Sequence, residues 1–273
     1  MTDYTYETSP SIKVSSPFQH VLLVELQRLW TELGQVFDKI DKDGAVRAVV
    51  LASAFSKIFT AGLDLTDAGS ITSDADTDPA RKALRQRDHL LKFQSAISAI
   101  EHCRVPVILA AHGLVLGLGV DIACACDVRY ASEDTQFCIK EVDVGLAADI
   151  GTLARLPKIA ANFSLTSELA YTARPFGPSE AQALGFISRV VPGGRDEVIK
   201  AAVETASKIA EKSPVAVAGT KRFLLHARDH SVADALEYQA TWNAFALQAS
   251  DLKDSFAAFK TKNKPEFKNL PKL

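Results

Sequence analysis

The sequence predicts a layered α/β fold that ends in a helical region, and three observations indicate it. The run His20–Leu26 is rich in valine and leucine and is typical of a buried strand. Apolar residues at helical spacing follow it, and Ala48–Ala52 then forms a second apolar strand. From about residue 163 the pattern is mainly helical. We therefore expect an α/β core over residues 1–195 and a helical C-terminal region over residues 196–273.

Further elements follow from the same two periodicities. Apolar residues recur every three or four positions before Pro106, which predicts a long helix that this proline ends. A polar stretch rich in serine, threonine and aspartate precedes that helix and predicts a surface loop, Gly69–Pro79. The remaining predicted elements are strands at Val107–Ala111 and Val128–Ala131, a short helix at Pro178–Gly185 and a helix that starts at Ser213-Pro214.

Composition excludes several classes of function. The chain has 273 residues, of which 47% are hydrophobic, and its formal net charge of −2 predicts no attraction to nucleic acid. No apolar run approaches the ~20 residues that span a bilayer, so no membrane partner is expected. Six scattered histidines and the absence of a nucleotide fingerprint predict neither a metal nor a separate cofactor. The four cysteines lack metal or disulfide spacing and are expected to be reduced, buried thiols of an intracellular protein, Cys103, Cys124, Cys126 and Cys138.

Two glycine-containing turns, at Phe59–Leu65 and His112–Asp121, are the first candidates for chemistry. Glycine after a strand lets the backbone turn sharply and expose N–H groups. Two such N–H groups that converge on one point would form an oxyanion hole. Two ordinary strand-to-helix turns are the alternative, and the sequence leaves both open. Neither turn is a phosphate loop, because the second lacks the Gly-Lys-Ser/Thr ending and its helix begins with an acidic residue.

The segment Lys140–Asp149 places carboxylates among valine, leucine and alanine. Carboxylates in such surroundings lose solvation, which raises their pKa towards the range useful for general acid–base catalysis. The alternative, that these groups are solvated loop charges or helix caps, is equally open at this point.

Taken together, these segments resemble the crotonase (enoyl-CoA hydratase/isomerase) superfamily from about residue 46 to residue 260. The Phe-x-Ala-Gly-x-Asp turn, the Gly-x-Gly turn followed by an acid, and the Glu141 segment stand in that family's order. The resemblance is closest to the 3,5-2,4-dienoyl-CoA isomerases, whose three acids match Asp121, Glu141 and Asp149. It implies a spiral of ββα units with a helical C-terminal region that forms trimers.

The resemblance also implies the reaction and the site. An isomerase of fatty-acid β-oxidation would convert a 3,5-dienoyl-CoA into the 2,4-isomer, with coenzyme A entering as part of the substrate. Glu141 would act at C2, Asp149 at C6 and Asp121 electrostatically, although the first two roles can be reversed. The oxyanion hole would use the N–H groups of Leu63 and Leu118. The expected substrate-binding residues are Ala61, Gly62, Leu63, Asp64, Leu65, Leu118 and Gly119.

Two other functions remain open. In a 2-enoyl-CoA hydratase, Asp121 and Glu141 would activate water, but a small neutral residue usually occupies the position of Asp149. A catalytically weak binding protein on this fold is the second alternative. The segment at residues 26–33 favours this alternative. It is about ten residues shorter than the matching segment of the family, which shapes part of the coenzyme A groove.

The resemblance further implies partners and a compartment. Homotrimers, or hexamers made of two trimers, are expected, and the basic run Ala258–Phe267 would help bind the nucleotide end of coenzyme A. Pro271-Lys272-Leu273 differs by one residue from the Ser-Lys-Leu peroxisomal address. We therefore expect an import receptor to bind it and place the protein in the peroxisome, with the mitochondrion and the cytosol as alternatives.

Overall fold

The computed structural model describes residues 11–26, 30–62 and 78–273. Within them the chain forms nine strands, ten α-helices and one 3-10 helix, Glu141–Val144. The strands are β1 Ile12–Phe18, β2 Val21–Leu26, β3 Ala48–Ser53, β4 Ile58–Thr60, β5 Val107–Ala111, β6 Leu114–Leu116, β7 Val128–Ser132, β8 Gln136–Cys138 and β9 Arg189–Val191. The helices are α1 Trp30–Lys42, α2 Pro79–His102, α3 Leu118–Ala125, α4 Thr152–Ile159, α5 Phe163–Thr172, α6 Pro178–Ala183, α7 Arg195–Ala210, α8 Pro214–Asp229, α9 Val232–Ala246 and α10 Ser250–Thr261.

A six-stranded sheet in the order β1-β2-β3-β5-β7-β9 forms the main layer. Only the β1–β2 pair in it is antiparallel, and the other pairs are parallel. Successive side chains of β3 alternate between its two faces, so Val49 packs with α1 and α2 while Val50 packs with α7. Because helices cover both faces, every residue of β3 is buried.

A second, three-stranded sheet in the order β4-β6-β8 is parallel throughout. Thr60 pairs with Val115, and Leu116 pairs with Cys138. The carboxyl ends of parallel strands meet at one edge of their sheet, so the chain leaves β4, β6 and β8 at the same edge. This edge is where the candidate site forms.

The structure confirms the predicted α/β class, and it confirms the strands near Val21, Ala48, Val107 and Val128. Two details of the sequence prediction were wrong. The long helix ends at His102, because the extended backbone of Cys103 (φ −52°, ψ 133°) breaks it before Pro106. Pro79 begins that helix instead of ending a loop, with the Asp78 carboxylate accepting from the N–H groups of its first turn. Strand β9 lies near the end of the predicted α/β core, where the sequence pattern is mainly helical.

The division of the chain at residue 195 stays a prediction. Helix α7, which begins there, packs Val198 and Ala202 against the six-stranded sheet. The rest of the predicted loop at Gly69–Pro79, apart from Asp78 and Pro79, lies outside the described residues.

The four cysteines are free and buried, as the sequence predicted. No helix in the described part of the chain is both long and apolar enough to cross a bilayer. Over the same ranges, no three His, Cys, Asp or Glu side chains are arranged to hold a metal ion.

The C-terminal tail packs against the loop between α1 and β3. Arg47 donates to the backbone oxygens of Ala210 and Phe267, at 3.0 and 2.7 Å. The N–H of Leu270 donates to Gly44 O, and a Cβ at Gly44 would overlap this backbone. Glycine at position 44 is therefore what lets the tail lie so close.

Candidate active site

The two glycine turns of the sequence meet at the edge of the three-stranded sheet. Gly62 has φ +93° and donates its N–H to Thr60 Oγ1 at 3.1 Å. A Cβ added to Gly62 would lie 3.5 Å from Leu116 O, so the turn after β4 touches the end of β6. Ala61 precedes Gly62 and is exposed. The expected contributions of Leu63, Asp64 and Leu65 fall outside the described residues and stay predictions.

The second turn brings the start of α3 to the same edge. Gly117 has φ +48° and donates its N–H to Cys138 O at 3.0 Å. Leu118 is the first residue of α3, and the first N–H groups of a helix have no intrahelical acceptor. At Gly119 a Cβ would come within 2.5 Å of Thr60 Cγ2, so glycine there lets α3 approach β4. The Leu118 N–H therefore has no acceptor within α3 and is available as a donor beside the contact of α3 with β4.

Glu141 follows β8 and faces the Gly117 turn. A Cβ added at Gly117 would lie 3.0 Å from Glu141 Oε1. The other carboxyl oxygen, Oε2, is buried and has no hydrogen-bond partner among residues 11–26, 30–62 and 78–273. Burial raises the pKa of Glu141, and the charges of Asp121 and Asp149 raise it further.

Asp121 lies one turn into α3 and is only 2% exposed. Its Oδ1 accepts from the Thr152 N–H at 2.6 Å and from Thr152 Oγ1 at 2.8 Å. Burial raises the pKa of Asp121, with a smaller contribution from Asp149, while the hydrogen bonds of Thr152 and the charge of Arg155 act in the opposite direction. Asp121 is therefore a buried, oriented carboxyl group.

Asp149 is exposed and stands between buried Ala148 and Ile150. Its backbone oxygen accepts from Gln94 Nε2 on α2 at 2.6 Å, which ties the segment before α4 to that helix. Asp143 differs from the three candidate acids because its carboxylate pairs with the ammonium group of Lys140. For Asp143, the alternative of a solvated charge holds.

Apolar side chains that are close to Glu141 and Asp149 in the chain are exposed to solvent. Val142, Val144, Leu146 and Leu153 are all at least 40% exposed, the largest fraction being 58% at Leu146. Uncovered apolar surface beside acid–base groups suits a ligand with an apolar chain.

Two surface grooves of the described chain lie elsewhere, along β1, β2 and the start of α7. Glu25 and Arg195 line both of them, and none of the three candidate acids does. The candidate site is accordingly defined by the three converging segments after β4, β6 and β8.

The arrangement can polarise a carbonyl and move protons beside it. N–H donors at a turn stabilise an oxyanion. A carboxylate with a raised pKa and one oxygen left without a donor is a stronger base than an ordinary glutamate. Glu141 has this property, and Asp121 and Asp149 interact with it electrostatically.

Comparison with known proteins agrees with this geometry. The family model described as enoyl-CoA hydratase/isomerase matches residues 24–270. The chain belongs to this family. Among solved structures of enoyl-CoA hydratase/isomerase relatives, an enoyl-CoA hydratase from Bacillus anthracis has a TM-score of 0.83 at 26% identity and covers 94% of this chain and 99% of its own. A putative enoyl-CoA hydratase from Streptomyces coelicolor has a TM-score of 0.84 at 28% identity, with 98% and 99% covered. The predicted crotonase fold is confirmed.

Curated enoyl-CoA hydratase/isomerase relatives are more similar still. A human protein named mitochondrial Delta(3,5)-Delta(2,4)-dienoyl-CoA isomerase is 46% identical, over 96% of this chain and 81% of the human protein. An Arabidopsis thaliana protein with the same name, but peroxisomal, is 43% identical over 88% and 86% of the two chains. The resemblance to the dienoyl-CoA isomerases within the family is confirmed.

Sequence reasoning missed three residues that shape this site. Gly117 belongs to a recognised motif, but only its positive φ and its contact with Glu141 show why it must be glycine. Thr152 and Gln94 hold Asp121 and the Asp149 backbone from other elements. A threonine directly after glycine at the start of a helix is a weak signal, and nothing in the sequence points to Gln94.

Proposed function

We propose that the chain converts 3,5-dienoyl-CoA into 2,4-dienoyl-CoA. The observation that carries this proposal is the unpartnered Oε2 of Glu141 beside the Gly117 turn. Asp121 and Asp149 are close enough to raise the pKa of this carboxyl group. The substrate class follows from the relatives' names, because proteins named dienoyl-CoA isomerase are 43–46% identical to this chain.

In the first step Glu141 removes a proton from C2 of the thioester. The electron pair that is left spreads over the thioester oxygen and the conjugated carbons. The N–H groups of Leu118 and Leu63 stabilise the negative oxygen, and one such donor is typically worth about 2.7–4 kcal/mol in the transition state. Gly117 and Gly62 set the path of the two turns.

In the second step Asp149, which enters the cycle as the acid, delivers its proton to C6. The proton taken up by Glu141 then returns to Asp149 through solvent, so both groups regain their starting forms. The double bonds then stand at C2 and C4, and no electron has been gained or lost overall. Asp121 sets the electrostatics around Glu141, whose pKa its negative charge raises. The opposite assignment of Glu141 and Asp149 is chemically equivalent and is distinguished by isotope exchange.

The acid at position 149 favours the isomerase over a 2-enoyl-CoA hydratase. A hydratase needs two carboxylates to position and activate water, which Asp121 and Glu141 could supply. A third carboxylate has no task in hydration, whereas a second proton transfer at C6 requires one.

The reaction is tested with the purified protein and a 3,5-dienoyl-CoA. Absorbance of the conjugated product should rise, and hydration of a 2-enoyl-CoA should be slower. Hydration without isomerisation would support the hydratase instead. Binding of the thioester without turnover would support the catalytically weak binding protein.

Asp149→Asn tests the two-base mechanism. The variant keeps the size of the side chain but cannot donate the C6 proton, so turnover should fall by ~10²-fold or more. Exchange of the C2 proton with deuterium, which depends on Glu141, should persist. Asp143→Asn is the matched control, because that exposed acid pairs with Lys140 and should leave the rate unchanged. Normal isomerisation by Asp149→Asn would rule out Asp149 as the second base.

We also propose that the chain acts as a trimer, or as a hexamer of paired trimers. Large apolar side chains of α9 and α10 are exposed in the single chain, among them Phe245 and Phe259. The basic run Ala258–Phe267 lies at the end of this region, where it could reach the nucleotide of coenzyme A bound by a neighbour. Sedimentation of the purified protein tests the oligomer.

For the compartment, we propose the peroxisome. The named relatives divide, since the Arabidopsis protein is called peroxisomal and the human protein mitochondrial. Imaging of the fluorescently tagged chain beside markers of both organelles would decide between them, and a mitochondrial or cytosolic signal would overturn the proposal.

A further inference from the structure

The buried contacts of Asp121 extend beyond the three acids. Thr152, the first residue of α4, is fully buried and gives both its N–H and its hydroxyl to a single oxygen, Asp121 Oδ1. No described residue donates to Oδ2. Two donors on one oxygen fix the rotation of the carboxyl group, and the N-terminus of a helix favours its ionised form.

Arg155, one turn further along α4, brings a positive charge to the same place. A Cβ added at Gly151 would overlap Arg155 Nη1 and lie 3.8 Å from Asp121 Oδ1, so both groups flank Gly151. The charged or titratable groups that face Asp121 are Arg155, the acids Glu141 and Asp149, and Cys124 on its own helix.

The guanidinium of Arg155 is itself held in place. Its Nε and Nη2 both donate to Glu101 Oε2 at 3.2 Å, and Nη2 also donates to Ser98 Oγ at 2.8 Å. Arg228 on α8 binds the other oxygen of Glu101. Because Nη1 takes no part in these bonds, it stays directed at Gly151.

We propose that the first turn of α4 positions Asp121 for the reaction, with Thr152 fixing its orientation and Arg155 placing a positive charge beside it. This inference rests on the proposed isomerase function. In this proposal Thr152 and Arg155 do not touch the substrate, and both act through Asp121. Glu141 is the proton acceptor, and the negative charge of an ionised Asp121 contributes to its raised pKa.

The Thr152 arm compares Thr152→Val with Thr152→Ser. Valine keeps the shape of threonine and removes the hydroxyl donor, whereas serine keeps the donor and removes a methyl group. We expect kcat to fall about tenfold in Thr152→Val with KM little changed, a smaller loss than removal of an acid–base group. Thr152→Ser should restore most of the turnover. Equal losses in both variants would mean that Thr152 serves packing alone.

The Arg155 arm compares Arg155→Met with Arg228→Met. Both variants break the cluster around Glu101, but only the first removes the charge beside Asp121. Since Arg155 lowers the pKa of Asp121, its loss should move the acidic limb of the kcat/KM profile to higher pH. Arg228→Met should leave the profile in place. Identical shifts in the two variants would assign the effect to the cluster and overturn the charge role.

A readout without turnover separates this inference from the proposed function. The ¹³C shift of the Asp121 carboxyl carbon can be followed by titration of protein labelled at aspartate, with Asp121→Asn for assignment. Its midpoint should move to higher pH in Thr152→Val and Arg155→Met and stay near the native value in Thr152→Ser. An unmoved midpoint overturns the inference even in an active isomerase. A moved midpoint in a chain that isomerises no dienoyl-CoA would leave the positioning standing and the proposed function refuted.

Discussion

Glu141 combines properties that stability alone would not favour. It stands partly buried, one of its oxygens lacks a donor among the described residues, and two neighbouring carboxylates oppose its charge. A buried charge with an unsatisfied oxygen costs free energy, so the residue makes the folded chain less stable at neutral pH. The same unpartnered oxygen is available to accept a proton.

Glu141→Gln should therefore stabilise the protein at pH 7 and abolish isomerisation. Because the pKa of Glu141 is raised in the folded state, its contribution to stability is present below the ordinary glutamate pKa of about 4.3 and is lost as pH rises through the raised value. We expect the melting temperature to rise by about 2–4 °C at pH 7, as ~1 kcal/mol gives in a domain of this size. The gain should vanish near pH 4. A lower melting temperature at pH 7 would show that the carboxylate is better solvated than its burial indicates.

Gly117 permits the close approach of the turn to Glu141. Gly117→Ala strains the backbone at φ +48° by about 1–3 kcal/mol and places a methyl group 3.0 Å from Glu141 Oε1. Gly185→Ala is the matched control, because φ is +81° there and the new methyl meets neighbours only at 3.5 Å or more. Both variants should lose similar stability in urea. Only Gly117→Ala should lose activity, by roughly 10²-fold if the base is displaced by an ångström, and an active Gly117→Ala would show that Glu141 can move aside.

At the scale of elements, a buried lysine fastens α8 to the α/β core. Lys221 is 5% exposed, donates to Ile100 O and Val105 O at 3.3 and 3.0 Å, and pairs with Asp127 at 2.8 Å. Ile100 lies in the last turn of α2, where a cation is favourable. One side chain thus joins α8 to the end of α2, to the segment that follows it and to the turn before β7.

Lys221→Met should cost about 3–5 kcal/mol of unfolding free energy, because it leaves the Asp127 carboxylate without its cation. Lys212→Met, on the exposed end of the same helical region, should cost almost nothing. Urea denaturation at neutral pH measures both. Comparable stabilities of the two variants would mean that water replaces the Lys221 ammonium group.

The elements differ in how far the sequence could predict them. Strand β5 is a continuous run of buried apolar residues, and β2 and β3 are apolar runs with one polar residue each, so their apolar character alone identifies them. Strand β7 contains Arg129 and is only partly buried at its start, so its signal is weaker. Strand β1 is mostly exposed along its length, and β4, β6, β8 and β9 have only three residues each. A three-residue strand is too short to establish a period, so its existence depends on pairing with distant residues.

The same distinction applies to the site. Asp121 and Glu141 stand out in sequence because acids rarely occur among small apolar residues. Their geometry depends on Gly117 and Thr152, whose roles come from contacts across the fold and not from neighbours in the chain. Hydrogen bonds between elements leave no periodic pattern, which is why the orientation of Asp121 could not be predicted.

At the scale of the whole molecule, the C-terminal helices expose more apolar surface than a stable monomer would. Phe245, Phe256 and Phe259 are 62–83% exposed. Phe259→Asp should weaken self-association and lower the molecular mass measured by light scattering, because a carboxylate in an apolar interface loses its solvation. Tyr171→Asp, equally exposed on α5, is the control and should keep the native mass. A lower molecular mass for Tyr171→Asp alone would place the interface on α5.

The parallel three-stranded sheet also affects how the molecule folds. Ile58 pairs with Leu114, and Leu114 with Gln136, so each pairing closes a loop over a long stretch of chain. Loop closure costs entropy before any contact offsets it, and long-range parallel pairing is slow to form. The helices can therefore form early, whereas the edge that carries Gly62, Gly117 and Glu141 exists only after all three strands have met. During refolding, enzyme activity would return with the slowest phase, well after the helical signal has recovered.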